Sequence, residues 1–447
     1  MVLRFPLLLA LALAATGSWT FATAQGDPLP RPYDPLDGLD PDGRIPRIQL
    51  PGDLPHPERW RYTPPGRIKP GSVWERFLVS SFVTPIFFRE EDIGFGGGFA
   101  LTDIDFRNQR HREFANIVGT YSAEGQQAYR MFWQRWLEHR ELPNGGIVRE
   151  ERNRLFGRAG YEKTLTRRFF GLGSKTSEFD ETSYTEELTT LGFGGRFSVP
   201  DLESSWLAQV GARLEHHGLS QGRVVDVPST EAVYPELSAA GDGQSQLWLD
   251  ASLGYDTRDS LHQPYRGSRI GLSLATAVGE AGDLGAVVGW DAQHVIALPP
   301  LLHRGGDRAE ENPPTDVFAV KMLVADTLGE LPYYSLPTLG GSDTLRGYIQ
   351  NRFTDRAAAH FAVEYRFGIV PRGVVFTDTI RIERIGLAVF YEGGTVADGA
   401  HALHEGRYLD SVGAGLRLAF SREASFRIDV GYGDEGSNLT IAFGNSF

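Results

Sequence analysis

From about residue 80 onward, apolar and polar positions alternate one for one, and clusters of Gly, Pro, Asp and Asn break the alternation at intervals. A period of two puts successive side chains on opposite faces of a strand, whereas helices repeat at three and four. In 385–391 one face is Ile385, Leu387, Val389 and Tyr391, and the other is Gly386, Ala388 and Phe390, with Glu392 next in line. In 412–420, Val412, Ala414, Leu416, Leu418 and Phe420 stand opposite Gly413, Gly415, Arg417 and Ala419. In 426–432, Phe426, Ile428, Val430 and Tyr432 stand opposite Arg427, Asp429 and Gly431. The last run sets Leu439, Ile441, Phe443 and Phe447 against Thr440, Ala442, Gly444 and Ser446. Half-buried soluble sheets also alternate. Here one face is apolar throughout and the other mixes glycine with charges of both signs. The first suits lipid and the second a narrow lumen.

Such runs fall at 80–90, 92–105, 113–123, 126–138, 151–164, 183–198, 204–217, 245–258, 267–279, 284–298, 315–328, 356–369, 381–396, 408–420, 424–434 and 438–447. The pattern predicts an all-β fold: a transmembrane antiparallel β-barrel of about sixteen strands, an even number as single-chain bacterial barrels have. With the N-terminus in the periplasm, short turns such as Pro200-Asp201 and Pro371-Arg372-Gly373 lie on the periplasmic side, and so does the longer 299–315. Segments 167–182, 218–245, 329–353 and 397–407 become the long outer loops.

Composition narrows the compartment. The 447 residues contain no cysteine, which excludes thiolate chemistry and a lipoprotein anchor, and the net charge of -13 argues against nucleic acid as a partner. Residues 1–24 form an export signal: Arg4, an apolar core over 6–15, and Ala22-Thr23-Ala24 before Gln25. The segment 25–79 is a periplasmic leader, rich in Pro, Asp and Gly at first, expected to be largely disordered. Within it, 45–54 is a strand-like peptide able to dock and 73–81 an amphipathic turn. The barrel spans 80–447.

One stretch stands apart: Leu339-Gly340-Gly341-Ser342-Asp343-Thr344-Leu345-Arg346-Gly347-Tyr348. Glycines let a backbone turn tightly or pass close to another. A surface loop needs neither, but a loop folded into a lumen does. Arg346 in a confined space requires a fixed partner.

This motif resembles the sixth-loop motif of the BamA/TamA-type outer-membrane assembly and translocation barrels, the bacterial surface antigen family. Further matches follow in order. Asp256-Thr257-Arg258-Asp259 with Pro264 and Gly267 is similar to the family's D-x-R turn, and Phe169-Phe170-Gly171-Leu172-Gly173 to an outer-loop motif. Phe390-Tyr391-Glu392-Gly393-Gly394 resembles the strand facing the loop, with Glu where the family usually has Asp. Val412-Gly413-Ala414-Gly415-Leu416-Arg417 and Arg427-Ile428-Asp429 resemble the next two strands. The resemblance implies a loop inserted into the lumen through Gly340, Gly341, Leu345, Arg346, Gly347 and Tyr348, with Glu392 as the partner of Arg346. Tyr348 is expected on the inward Gly413 or Gly415. Glu364, Arg366, Arg417, Arg427 and Asp429 would extend the network, and Phe447 would be the C-terminal insertion signal. The leader has neither the length nor the periodicity of the POTRA domains found in well-studied relatives, so the chain resembles the barrel-only members.

No other chemistry stands out. Gly94-Phe95-Gly96-Gly97-Gly98 lacks the Lys-Ser/Thr of a phosphate loop, and His401, His404 and Glu405 lie in an exposed outer loop. No nucleophile and base are grouped as hydrolases need. The reading is a non-enzymatic outer-membrane protein of a Gram-negative-type bacterium, without cofactor or metal, that inserts or translocates protein or lipid. Its expected partners are outer-membrane lipid and unfolded outer-membrane clients or a periplasmic protein held by the leader. A passive or gated channel, or a membrane anchor for a periplasmic partner, are the alternatives.

Overall fold

A computed structural model of the chain describes residues 44, 47–63, 65, 68, 81–90, 92–280, 282–307, 309–310, 313–375, 381–420 and 425–447. The expected export signal, most of the expected leader and all but the last residue of the turn expected at 73–81 lie outside the described residues.

Sixteen antiparallel strands form one sheet in which each strand pairs with its neighbours in the chain. They are β1 (Ser81–Glu90), β2 (Gly94–Asp103), β3 (Glu113–Ser122), β4 (Gln127–Trp136), β5 (Arg154–Phe169), β6 (Thr182–Ser198), β7 (Trp206–Gln221) and β8 (Gln244–Asp256). There follow β9 (Gly267–Gly279), β10 (Leu284–Leu298), β11 (Asp316–Gly329), β12 (Ala357–Val370), β13 (Arg384–Ala397), β14 (Leu409–Ala419), β15 (Ser425–Gly433) and β16 (Gly436–Phe443). All sixteen runs read from the alternation are strands. The largest difference at the start of the sheet is β5, which extends five residues beyond its expected end because a bulge between Thr164 and Arg167 lets it continue beside β6.

The sheet curls into a barrel, as contacts between strands far apart in its order require. Arg352, in the β11–β12 loop, bonds both Thr176 of the β5–β6 loop and Glu435 of the β15–β16 hairpin. The outward face is apolar: Leu191, Phe193, Leu249, Ile270, Leu272 and Val412 are exposed. The inward face holds buried charges, among them Glu364, Glu392, Arg427 and Asp429. That inversion of a soluble core is what lipid outside and a polar lumen inside demand. Among the described residues no helix is long and apolar enough to cross a membrane.

Two features differ from expectation. Part of the leader is built into the structure: Trp60–Thr63 pairs with Ile147–Glu150, which pairs with His139–Glu141. Leu54, Trp60 and Val148 close a small core beside it, and Arg59 donates to the Ser204 carbonyl at 2.8 Å and the Ser205 hydroxyl at 3.0 Å. Trp60 and Tyr62 supply the apolar area that a Pro-rich coil lacks, so this stretch is not disordered. The last strand ends at Phe443 rather than continuing to Phe447. Gly444 takes a φ of 79°, which diverts the chain out of the sheet.

Candidate functional site: a loop bound inside the barrel

The β11–β12 loop folds back into the lumen. Gly340 and Gly341 both have a φ of 109°, a backbone that L side chains rarely adopt, and this reverses the chain after the short ladder of Thr338–Leu339 with Phe353–Thr354. The Gly341 amide then donates to the Tyr348 carbonyl at 3.1 Å, closing the motif on itself. Leu339, Leu345, Tyr348 and Phe353 pack with Ala358, Val396 and Leu409 of the wall. The loop therefore carries its own apolar core against β12–β14.

Register places the loop over one row of inward residues. Glu364, Phe390, Gly413, Gly431 and Asn438 lie side by side across β12 to β16. Arg346 runs along this row. Its guanidinium lies 3.4 Å from the Phe390 ring centre, and its Nη1 donates to Glu364 at 2.8 Å. Its own carbonyl comes so close to Gly431 that a Cβ there would stand 2.6 Å away. At the end of the row the Asn438 side-chain amide donates to the Arg346 carbonyl at 3.2 Å and the Tyr348 carbonyl at 2.9 Å. Two further carboxylates come from the flanking rows. Glu392 accepts from Arg346 Nε at 3.0 Å and from its backbone amide at 2.6 Å, and Asp429 accepts from Nη1 at 2.9 Å.

The expected partnership of Arg346 and Glu392 is thus present, in a different form. Glu392 grips the side chain and the backbone of Arg346, and the guanidinium is divided among three acids. Arg366 pairs with Glu364 at 2.6 Å, Arg417 with Glu364 at 3.2 Å and with Asp429, and Arg427 with Asp429 at 3.0 Å and Asp343 at 2.7 Å. Four guanidiniums and four carboxylates balance. Arg346 is fully buried, and burial alone presses its pKa down. The charges of Glu364, Glu392 and Asp429 more than reverse this, so its pKa stands above the ordinary value and it stays cationic. A charge so enclosed is strongly destabilising when its partners are removed.

Tyr348 is placed differently from the expectation. It lies against Gly433, where a Cβ would be 2.6 Å from its ring, and not on Gly413 or Gly415. The reason is Gly347, which is pressed against the Tyr432 and Gly433 backbone and so carries the next residue over β15. Gly413 makes room for the Phe390 ring, and Gly415 for the Asp429–Arg417 pair. Phe447 lies within the barrel against Val295, Val317 and Ala319, away from the line of the last strand.

Sequence reasoning missed a second clamp. Arg352, its side chain fully buried, lies 4.3 Å from the Phe170 ring centre and 4.4 Å from that of Phe353. It donates to the Thr176 carbonyl at 2.9 Å and pairs with Glu435 at 2.6 Å. The Phe169-Phe170-Gly171-Leu172-Gly173 motif thus holds the returning half of the loop, with the Gly173 amide donating to the Thr354 carbonyl at 2.9 Å. The motif was visible in the sequence, and its partner was not. Asn438 gave no signal beyond its inward parity.

A family profile described as the Omp85 superfamily domain matches residues 113–447. Among solved structures, BamA from Haemophilus ducreyi lacking POTRA domains 1-3 is similar at 14% identity and a TM-score of 0.48, over 82% of this chain and 70% of that one. CdiB from Acinetobacter baumannii is similar at 10% identity and a TM-score of 0.46, over 82% of this chain and 59% of that one. CdiB from Escherichia coli follows at 11% identity and a TM-score of 0.47, over 81% and 61%. No curated protein sequence matches the chain.

Proposed function

The chain belongs to the Omp85 superfamily, and from that premise we propose that it inserts or translocates protein or lipid at the bacterial outer membrane by opening between its first and last strands. The observation that carries the reading is an asymmetry. The lumenal loop binds every strand from β12 to β16, while among the described residues no ladder joins β16 to β1. Pro85 interrupts β1, and proline within a strand is tolerated at an edge, where a missing N–H breaks no ladder. An unpaired edge beside a braced one is a template for an incoming client strand. In this reading Arg346 and its acids keep β16 in place whether or not β1 is beside it, and the work is done without a catalytic group. Lipid is the surrounding medium and an unfolded barrel protein the client. The loop filling the lumen weighs against a passive channel. The leader, docked on the barrel's own turns, weighs against a free anchor for a second protein.

The test uses liposomes with and without the refolded protein. An unfolded eight-stranded outer-membrane barrel is added, and its insertion is followed by the gel shift of the folded form. The native chain has no cysteine, so Val83→Cys and Leu439→Cys can be joined across the seam with a cleavable thiol reagent. Faster client insertion that is lost on crosslinking and regained on cleavage supports the proposal. Equal rates with and without the protein would sink it.

A further inference from the structure

The Asp256-Thr257-Arg258-Asp259 turn takes no part in the loop site, and a second set of charges gathers around it at the short-turn end of the lumen. Trp206, Leu253, Tyr255 and Ile270 are exposed on the outward face, so their strand neighbours Leu207, Ser252, Gly254 and Arg269 point inward. Register sets Arg154, Arg196, Gln209 and Ser252 in one inward row across β5 to β8. It sets Asp256, Arg269 and Gln293 in another across β8 to β10. Between the rows Gly254 pairs with Gly271, and the wall there carries no side chain. The result is a partly open pocket of ≈ 380 Å³, its mouth included, which Arg196, Arg258 and Arg269 all line.

The acids nearby are already committed. Asp256 pairs with Arg258 at 2.8 Å and lies 3.9 Å from Arg152, and Asp291 pairs with Arg269 at 3.2 Å. Arg152 also donates to the Asp256 and Arg258 carbonyls at 2.8 and 3.1 Å, which fixes the turn. Arg196 is different. Its Nε and Nη2 donate to one neutral acceptor, the Gln209 side-chain oxygen, at 3.0 and 2.9 Å, and among the described residues no carboxylate pairs with it. Its register partner on β5 is another cation, Arg154, and like charges directly opposite are destabilising. The buried Gln293 gives its oxygen to Arg258 at 2.7 Å and leaves its Nε2 without an acceptor. The wall therefore holds donors and a positive charge that the protein itself does not satisfy, and such groups are costly in a confined space.

We propose that this pocket binds a phosphate group, carried by a free anion or by a lipid headgroup. Guanidinium forks match phosphate oxygens in pairs. Here they approach from β6, from the β8–β9 turn and from β9, which suits a tetrahedral anion better than a planar one. A cleft lined by one sign of charge concentrates the opposite ion. Gln209 fixes the Arg196 fork and Asp256 the Arg258 fork, so the donors are set before the anion arrives. The lumenal loop straps β12 to β16, whereas this pocket joins β6 to β9, so a bound phosphate steadies a wall that the loop does not reach. The site stands whether or not the seam opens.

Isothermal titration of the full chain, refolded in a non-ionic detergent at constant ionic strength, tests this with two probes, inorganic phosphate and dihexanoyl phosphatidylglycerol. Saturable binding of one phosphate group per chain is expected. Arg196→Gln is expected to weaken it at least about tenfold, and Arg130→Gln, at an exposed arginine elsewhere on the barrel, to leave it unchanged. Ser252→Leu fills the pocket and keeps every charge, and it is expected to weaken binding as much, which decides the matter if Arg196→Gln does not fold. Binding of inorganic phosphate makes a soluble anion the source, and binding of the lipid alone makes it a headgroup; either supports the site when the pocket variants lose it. No saturable binding of either probe, binding that the pocket variants leave unchanged, or an equal loss in Arg130→Gln overturns the proposal.

Discussion

The side-chain amide of Asn438, on the last strand, donates to the carbonyl of Tyr348 at 2.9 Å. A loop that leaves the sheet five strands earlier in the barrel order is thereby bonded to the strand at the seam. Everything between them, from Glu364 on β12 to Gly431 on β15, lies in one row beneath the same loop. The loop acts as a strap along the inner wall.

Asn438→Leu tests the far end of that strap. It leaves the Arg346 carbonyl without its donor and the Tyr348 carbonyl with the Gly341 amide alone, and an unpaired buried acceptor costs ~1–3 kcal/mol. Hydrogen exchange is expected to accelerate in β16 and in 346–348, with little change in β6 to β9. Unchanged exchange in β16 would remove the bond from the account.

Gly431→Ala places a methyl group where the Arg346 carbonyl now lies. The wall cannot yield there, so the loop lifts, at about 1–3 kcal/mol for overpacking. Single-channel recordings are expected to show larger and steadier openings than wild type. Wild-type conductance would mean that the loop does not lie on β15.

The leader's docking is expected to depend on pH through Glu150. Burial pushes its carboxyl up to about 7, against the opposing effect of the Asn153 and Arg152 amides and the Arg152 charge. The folded group thus holds a proton that the unfolded one, near 4.5, gives up earlier. The stability from this group is full below about 4.5 and is lost as pH rises through about 7. Proteolysis between residues 47 and 63 should therefore become faster from pH 5 to pH 8, and Glu150→Gln should flatten that rise.

The fold was legible because the signal is a parity. Phe390, Glu392, Gly413, Gly415, Arg417, Arg427, Asp429 and Gly431 were set on one face by counting in twos, and the chemistry of the two faces named their surroundings. Parity does not supply register. Nothing local says that Glu364, Phe390, Gly413 and Gly431 share a row, so the division of Arg346 among three acids was hidden and Tyr348 was expected one strand too early. Contacts between loops were hidden for the same reason: Arg352 and Phe170 are 182 positions apart in the chain. Ser446 and Phe447 keep the parity of the last run although Asn445 breaks it, and the φ of Gly444 takes the segment out of the sheet.

Arg346→Lys should not substitute for the native residue. An ammonium is a single point of charge and cannot serve Glu364, Glu392 and Asp429 together while stacking on Phe390. The folded form of the Lys variant is expected to unfold on a heated gel at a temperature near that of Arg346→Ala. Recovery to the wild-type temperature would mean that charge alone matters there.

The most direct measurement is the coupling between Arg346 and Glu392, from the unfolding free energies in urea of Arg346→Ala, Glu392→Gln and the double variant. Each single change breaks a buried pair and is expected to cost ~3–5 kcal/mol. The double variant is expected to cost clearly less than the sum, because the second change removes a group already stranded. Additive costs, or singles that unfold like wild type, would contradict a loop held inside the barrel by this arginine.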